Sequence, residues 1–86
     1  MSEKGMILVI DDEPAVCESL SQLLEMEGYR TGVAHDVESG LKRFGQSAFD
    51  LVLLDMSLPE RSQGLHVLRT IKQESPETPV ILITAF

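Results

Sequence analysis

The sequence predicts an α/β fold built on a doubly wound parallel sheet, and three observations carry that expectation. Short apolar runs alternate with segments of helical periodicity in the order βαβαβαβ. Each pair of successive runs is separated by enough chain for one helical crossover, the connection that parallel strands require. Three of the four runs are apolar without alternation, as strands covered on both faces are. At 86 residues, the chain is read as one domain over residues 1–86.

The elements follow in order. Met6 to Ile10, "MILVI", is a continuous apolar run rich in branched residues and reads as the first strand. Pro14 suits the first turn of a helix, where its missing N–H is no loss. Val16, Leu20, Leu23 and Leu24 then recur at i, i+4, i+7 and i+8 as one apolar stripe. Gly28 is placed to end that helix in the left-handed conformation. Arg30 to Ala34 is a weaker, more polar strand and belongs at a sheet edge. Asp36 suits an N-cap, followed by Val37, Leu41 and Phe44 at helical spacing. Gly40 weakens this second helix, and Gly45 is expected to close it. Leu51 to Leu54 is the third strand. Leu65, Leu68 and Ile71 mark a third helix that stops before Pro76. Pro79 opens a fourth strand, Val80 to Thr84. Repeats, low-complexity tracts and linkers are absent from the sequence.

The last strand, within "VILITAF", is strongly apolar, and nothing after it in the sequence covers it. Proteins blunt or cover such an edge, so at least one further strand with flanking helices is expected beyond it. The rival expectation is a small domain with Phe86 as its true end.

Composition narrows the function. Seven basic against fourteen acidic residues give a net charge of −7. That argues against nucleic-acid binding, which needs clustered Lys and Arg, and against docking on an anionic membrane. Cys17 is the sole cysteine, so an internal disulfide or a cysteine-built zinc site is excluded. The N-terminal apolar run is too short for a signal peptide or a membrane span, and cytoplasm is the expected location.

The chemistry sits at the strand ends. Asp11 and Asp12 follow the first strand, and Asp55 follows the third. Open parallel sheets bind ligands beyond the carboxyl ends of their strands, where the strand order reverses. If those two strands are neighbours, three carboxylates converge there. Packed acids repel and raise one another's pKa unless a cation neutralises them. A hard divalent ion bound by oxygen fits, Mg2+ first among them.

Together "ILVIDDEP", "LVLLDMSLP" and "VILITA" resemble the receiver domain of bacterial two-component response regulators, over essentially the whole chain. The resemblance implies a flavodoxin-like sheet of strand order 2-1-3-4-5, of which the chain would hold the N-terminal two-thirds. It implies that Asp55 is the phospho-acceptor, a nucleophile that forms an aspartyl phosphate. Asp12 matches a direct Mg2+ ligand, Asp11 the acid that reaches the metal through water, and the backbone carbonyl of Ser57 a further ligand. Thr84 matches the hydroxyl that bonds the phosphoryl group, and Pro59 and Gly64 match residues that shape the loop. The implied partners are a sensor histidine kinase as phosphoryl donor and an output domain or effector. "ITAF" is similar to the end of this strand in regulators joined to ATPase and DNA-binding domains.

Two departures from the family accompany the match. The loop from Asp55 to Gly64 has one residue more than the usual pattern. The family's lysine after a fifth strand has no counterpart within the 86 residues, so slow or unstable phosphorylation is expected.

Each assignment has a structural rival. Asp11, Asp12 and Glu13 could instead cap the first helix and favour its N-terminus. Thr84 could be a plain β-branched strand residue. Cys17 is read as packing, His35 and His66 as surface residues, and Met26 and Met56 as gap fillers. Two further functional classes compete as well. A non-phosphorylated interaction module could self-associate through the fourth strand as a homo-oligomer. A Mg2+-dependent phosphatase would need a second acid two residues after the nucleophile, where the chain has Ser57.

Overall fold

A computed structural model describes residues 4–55 and 61–83, with the side chains of 61 and 62 excepted. Its elements are β1 (Met6–Ile10), α1 (Pro14–Met26), β2 (Arg30–Ala34), α2 (Val37–Gln46), β3 (Leu51–Asp55), α3 (Arg61–Glu74) and β4 (Val80–Ile83). The four strands form one parallel sheet in the order β2-β1-β3-β4. The polar β2 is an edge strand, as its sequence suggests. Ser57, Pro59, Thr84 and Phe86, and with them Met56, lie outside the described residues.

The chain starts in the middle of the sheet, steps to β2, then crosses back past β1 to β3. Right-handed crossovers therefore place α1 on one face and α2 with α3 on the other. Ile7, Val9 and Cys17 are buried on the α1 face, with Leu20, Leu24, Tyr29, Val33, Leu51 and Leu53 packed around them. The larger core lies under α2 and α3, where Leu8, Ile10, Val52, Leu54, Val67 and Ile71 are fully buried among Ala34, Phe44 and Phe49.

Helix α1 begins at Pro14 as expected, and the chain leaves it through Gly28 at φ 99°, which a side chain would strain. Its buried face is centred on Cys17, Leu20 and Leu24. Leu23 lies on the flank of that stripe and is 60% exposed. Met26, at the helix end, is 79% exposed and fills no gap. Asp36 caps α2, its Oδ1 accepting the Ser39 N–H at 2.7 Å. Gly45 does not close this helix, which runs on to Gln46 with Ser47 as its C-cap. The cost of Gly40 inside α2 has a packing reason: a Cβ there would sit 2.9 Å from Ile10 Cδ1. Glycine lets the helix lie directly on β1.

Helix α3 turns a different stripe inward from the one its leucines suggest. Val67 and Ile71 are fully buried and Leu68 packs at their side, whereas Leu65 is 38% exposed. Leu65 is two residues before Val67, about 200° around the helix, and so faces away from the sheet. On β4, Ile81 and Leu82 are 49% and 41% exposed. Among the described residues, no helix is long and apolar enough to cross a membrane.

Candidate metal centre

β1 and β3 are hydrogen-bonded neighbours, paired from Ile7↔Leu51 to Ile10↔Leu54. Their carboxyl ends therefore lie side by side at the point where the chain reverses its direction across the sheet. Asp11 leaves β1 at this point, and its N–H still bonds the Ala34 carbonyl of β2 at 3.1 Å. Asp55 is the last residue of β3 rather than the first beyond it, because its register continues to Ile83 of β4. Both are anchored by strand backbone.

One oxygen from each of Asp11, Asp12 and Asp55 can be chosen so that all three lie within 4.8 Å of one another. Asp11 and Asp55 are buried, at 5% and 4% exposure, while Asp12 faces solvent. The Asp11 carboxyl is raised from 3.8 to about 6 in all, burial being the largest cause. The bond its Oδ1 accepts from the Glu13 N–H, 2.9 Å, pulls the other way. The Asp55 charge and a hydrogen bond to Asp55 raise it too, and the Asp12 charge adds to this. Burial is the main reason that this acid holds its proton, and the neighbouring carboxylates add to it.

This donor set suits a hard cation. Carboxylate oxygens select Mg2+, Ca2+ or Mn2+ over softer metals. The rival reading of these acids as caps of α1 does not hold: Glu13 is the N-cap and makes no side-chain cap bond, and Asp11 accepts the Glu13 N–H one residue before the helix. One oxygen of the Asp11 carboxylate thus serves the turn before the helix while the group as a whole belongs to the cluster.

Residues that the sequence leaves as bystanders touch this centre. Cys17 is 1% exposed, and its thiol donates toward the Asp11 carbonyl at 3.4 Å. His35, exposed as expected, places Nδ1 3.2 Å from that same oxygen. His66 is also exposed, and it lines a groove of about 810 Å3 with Asp36, Lys42 and Gln63. The contact of His35 with Asp11 arises from parallel pairing, which sets the residue after β2 beside the residue after β1. Periodicity within one segment carries no trace of it.

A four-stranded parallel sheet with an acid cluster at its switch point defines an open α/β domain of the doubly wound type, and comparison with known proteins shows its family. The model of the response regulator receiver domain matches residues 7–86. The uncharacterized transcriptional regulatory protein YkoG of Bacillus subtilis is 43% identical over 83 residues, 96% of this chain and 36% of that protein. The transcriptional regulatory protein DltR of Streptococcus agalactiae is 42% identical over 79 residues, 92% of this chain and 35% of its own length. The response regulator TrrA of Thermotoga maritima, solved in complex with Mg(2+)-BeF, superposes with a TM-score of 0.86. It is 39% identical, and the match covers 95% of this chain and 70% of that one. The chain belongs to the response regulator receiver domain family, a regulatory domain of phosphorelay signalling rather than a conventional enzyme. It spans about a third of the length of the curated relatives it matches.

Proposed function

We propose that Asp55 accepts a phosphoryl group, and that the acid cluster at the ends of β1 and β3 is the site of that transfer. The observation that carries this reading is the convergence of Asp11, Asp12 and Asp55 within 4.8 Å at the sheet's switch point. Asp55 is the one acid of the three that lies within a strand, so its backbone holds a defined place at the sheet's end. In the transfer, an Asp55 oxygen forms a bond to phosphorus as the bond from phosphorus to the donor breaks. The donor nitrogen or oxygen leaves with the electron pair, and Asp55 becomes a mixed anhydride.

Asp12, Asp11 and Asp55 are the residues that would hold Mg2+, and three hard oxygen donors fit such an ion. When bound, Mg2+ supplies the positive charge that lets a carboxylate approach an anionic phosphoryl group. Asp12, exposed and outside the strand, is the direct ligand in this reading. Asp11 is buried and already bonded to Glu13, and it acts through water. The Ser57 carbonyl and the Thr84 hydroxyl complete the site by family resemblance, as metal ligand and phosphoryl contact.

The donor in this reading is a phosphohistidine on a sensor kinase in the cytoplasm. The effector is an output domain carried by a longer parent chain, of which residues 1–86 are the receiver part. The transcriptional regulators among the relatives support that arrangement. Direct contact with nucleic acid falls outside it, because the chain carries −7. A second reading, self-association through β4, rests on the exposure of Ile81 and Leu82 along one strand. Light scattering that finds only monomer at high concentration rejects this second reading.

Incubation with acetyl phosphate and Mg2+, followed by borohydride, tests the main one. Borohydride reduces an aspartyl phosphate to homoserine and so captures even a short-lived adduct. Homoserine at position 55, absent without Mg2+, is the expected product. Its absence, or reduction at a different aspartate, overturns the assignment.

A further inference from the structure

We infer that His35 is a positioning residue for the acid cluster, acting through the peptide that joins Asp11 to Asp12. This inference rests on the metal-site reading above and deepens it. The Asp11 carbonyl oxygen belongs to that linking peptide, and two side chains reach it. His35 Nδ1 lies at 3.2 Å and Cys17 Sγ at 3.4 Å. These Nδ1 and Sγ atoms are themselves 3.6 Å apart, the pairing that competes when Nδ1 is the acceptor. A carbonyl only accepts, with two lone pairs, so it can take both. The contact with His35 is a hydrogen bond only when the proton sits on Nδ1, leaving Nε2 toward solvent.

The other end of Asp11 is already held. Its N–H bonds the Ala34 carbonyl at 3.1 Å, and its Oδ1 takes the Glu13 N–H at 2.9 Å. What remains to be set is the plane of the next peptide, and with it the direction in which Asp12 leaves the strand. Asp12 lies beyond β1, and on that side no regular ladder fixes it. A change of ψ at Asp11 turns this carbonyl and swings Asp12 with it, and would carry the Asp12 carboxylate out of the 4.8 Å cluster. His35 opposes that rotation from β2's side and Cys17 from α1's. The imidazole is the stronger anchor, because an N–H donor at this distance outweighs a thiol.

A residue that only satisfied a carbonyl would alter stability and leave metal affinity alone. One that aims Asp12 alters affinity in protein that is still folded. Mg2+ titration by calorimetry, on folded protein checked by circular dichroism, separates the two. Outer partners of metal ligands are worth about 10–100-fold in affinity, and His35→Ala is expected at about tenfold weaker, the low end. His35→Asn carries an amide nitrogen at the same branch position as Nδ1, and is expected to restore affinity to within about twofold of the parent on the same scale. Equal affinity in His35→Ala and the parent overturns the inference, as does His35→Asn binding no better than His35→Ala. Nitrogen-15 NMR of the neutral imidazole adds a direct check: the Nδ1–H tautomer is expected, and an Nε2–H tautomer ends the proposal. Asp12→Asn in the same titration tells the two levels apart. If it loses Mg2+ while His35→Ala does not, only the positioning role fails. If it binds like the parent, the metal reading itself fails.

Discussion

Neutralising Asp11 should make the metal-free protein more stable, and the size of the gain can be worked from its surroundings. Asp11 is 5% exposed, and its carboxyl is raised from 3.8 to about 6, by burial first and then by Asp55. An acid with a folded pKa above its unfolded one binds more protons when folded across that interval. Stability therefore falls as the pH rises from about 4 to about 6, and the full penalty persists above it. One pKa unit is worth about 1.4 kcal/mol, so a gap of roughly two units sets a ceiling near 3 kcal/mol. Because Asp11 and Asp55 titrate together, part of that belongs to the pair. A gain of about 1–3 kcal/mol for Asp11→Asn is the working figure.

Asparagine is the right probe because it removes the charge and little else. Its Oδ1 can still accept the Glu13 N–H, a bond of 2.9 Å in the parent, and its amide can donate to Asp55. For a domain of this size, each kcal/mol moves Tm by roughly 4–8 °C. Urea or thermal unfolding followed by circular dichroism, in a chelator at several pH values between about 4 and 8, measures it. The parent and variant curves should meet near the acid end and diverge as the pH rises. Parallel curves at every pH would show that Asp11 carries no charge penalty and refute the reasoning. Added Mg2+ should narrow the gap, by stabilising the parent more than the variant.

Other outcomes follow from the same structure. Asp12→Ala should reduce the rise in Tm with Mg2+ more than Asp11→Ala does, and equal responses would reject Asp12 as the direct ligand. Gly40→Ala gains about 1 kcal/mol of helix propensity but meets the buried Ile10 side chain, so a net loss of about 1 kcal/mol is expected in chemical unfolding. Ile71→Ala should cost about 2–5 kcal/mol, and Leu65→Ala less than about 0.5, a contrast that reports which face of α3 meets the sheet.

Most of the sheet was legible because its signals are local. Continuous apolar runs, Pro14, Gly28 and the Asp36 cap each act within a few residues of where they stand, and each placed an element boundary within a residue or two. The errors fell where a neighbour decides. Leu23 and Leu65 are apolar at helical spacing, but the sheet meets α1 and α3 along stripes centred on Cys17 and on Val67. Gly40 reads as a defect in a helix until Ile10 lies beneath it. Gly45 has the residue type for a helix end, yet α2 runs one residue beyond it. The acids were legible for a different reason. Charge placed directly after an apolar strand has no local explanation, and the parallel topology supplies one by bringing two such ends together.

That same topology explains why the site is costly and why the cost is useful. A sheet that begins at its middle strand must reverse direction once, and the reversal puts the ends of β1 and β3 side by side with α1 and α2 on opposite faces. Acids placed there repel each other, and the strands prevent them from moving apart. A ligand can shift such a structure only as far as its affinity differs between two states. In the metal-site reading proposed above, that difference is the repulsion among the acids, which a bound cation would relieve. Asp11 also holds the Glu13 N–H at the mouth of α1, and its carbonyl meets His35 at the mouth of α2. One residue of the cluster thus touches the starts of two helices on opposite faces of the sheet.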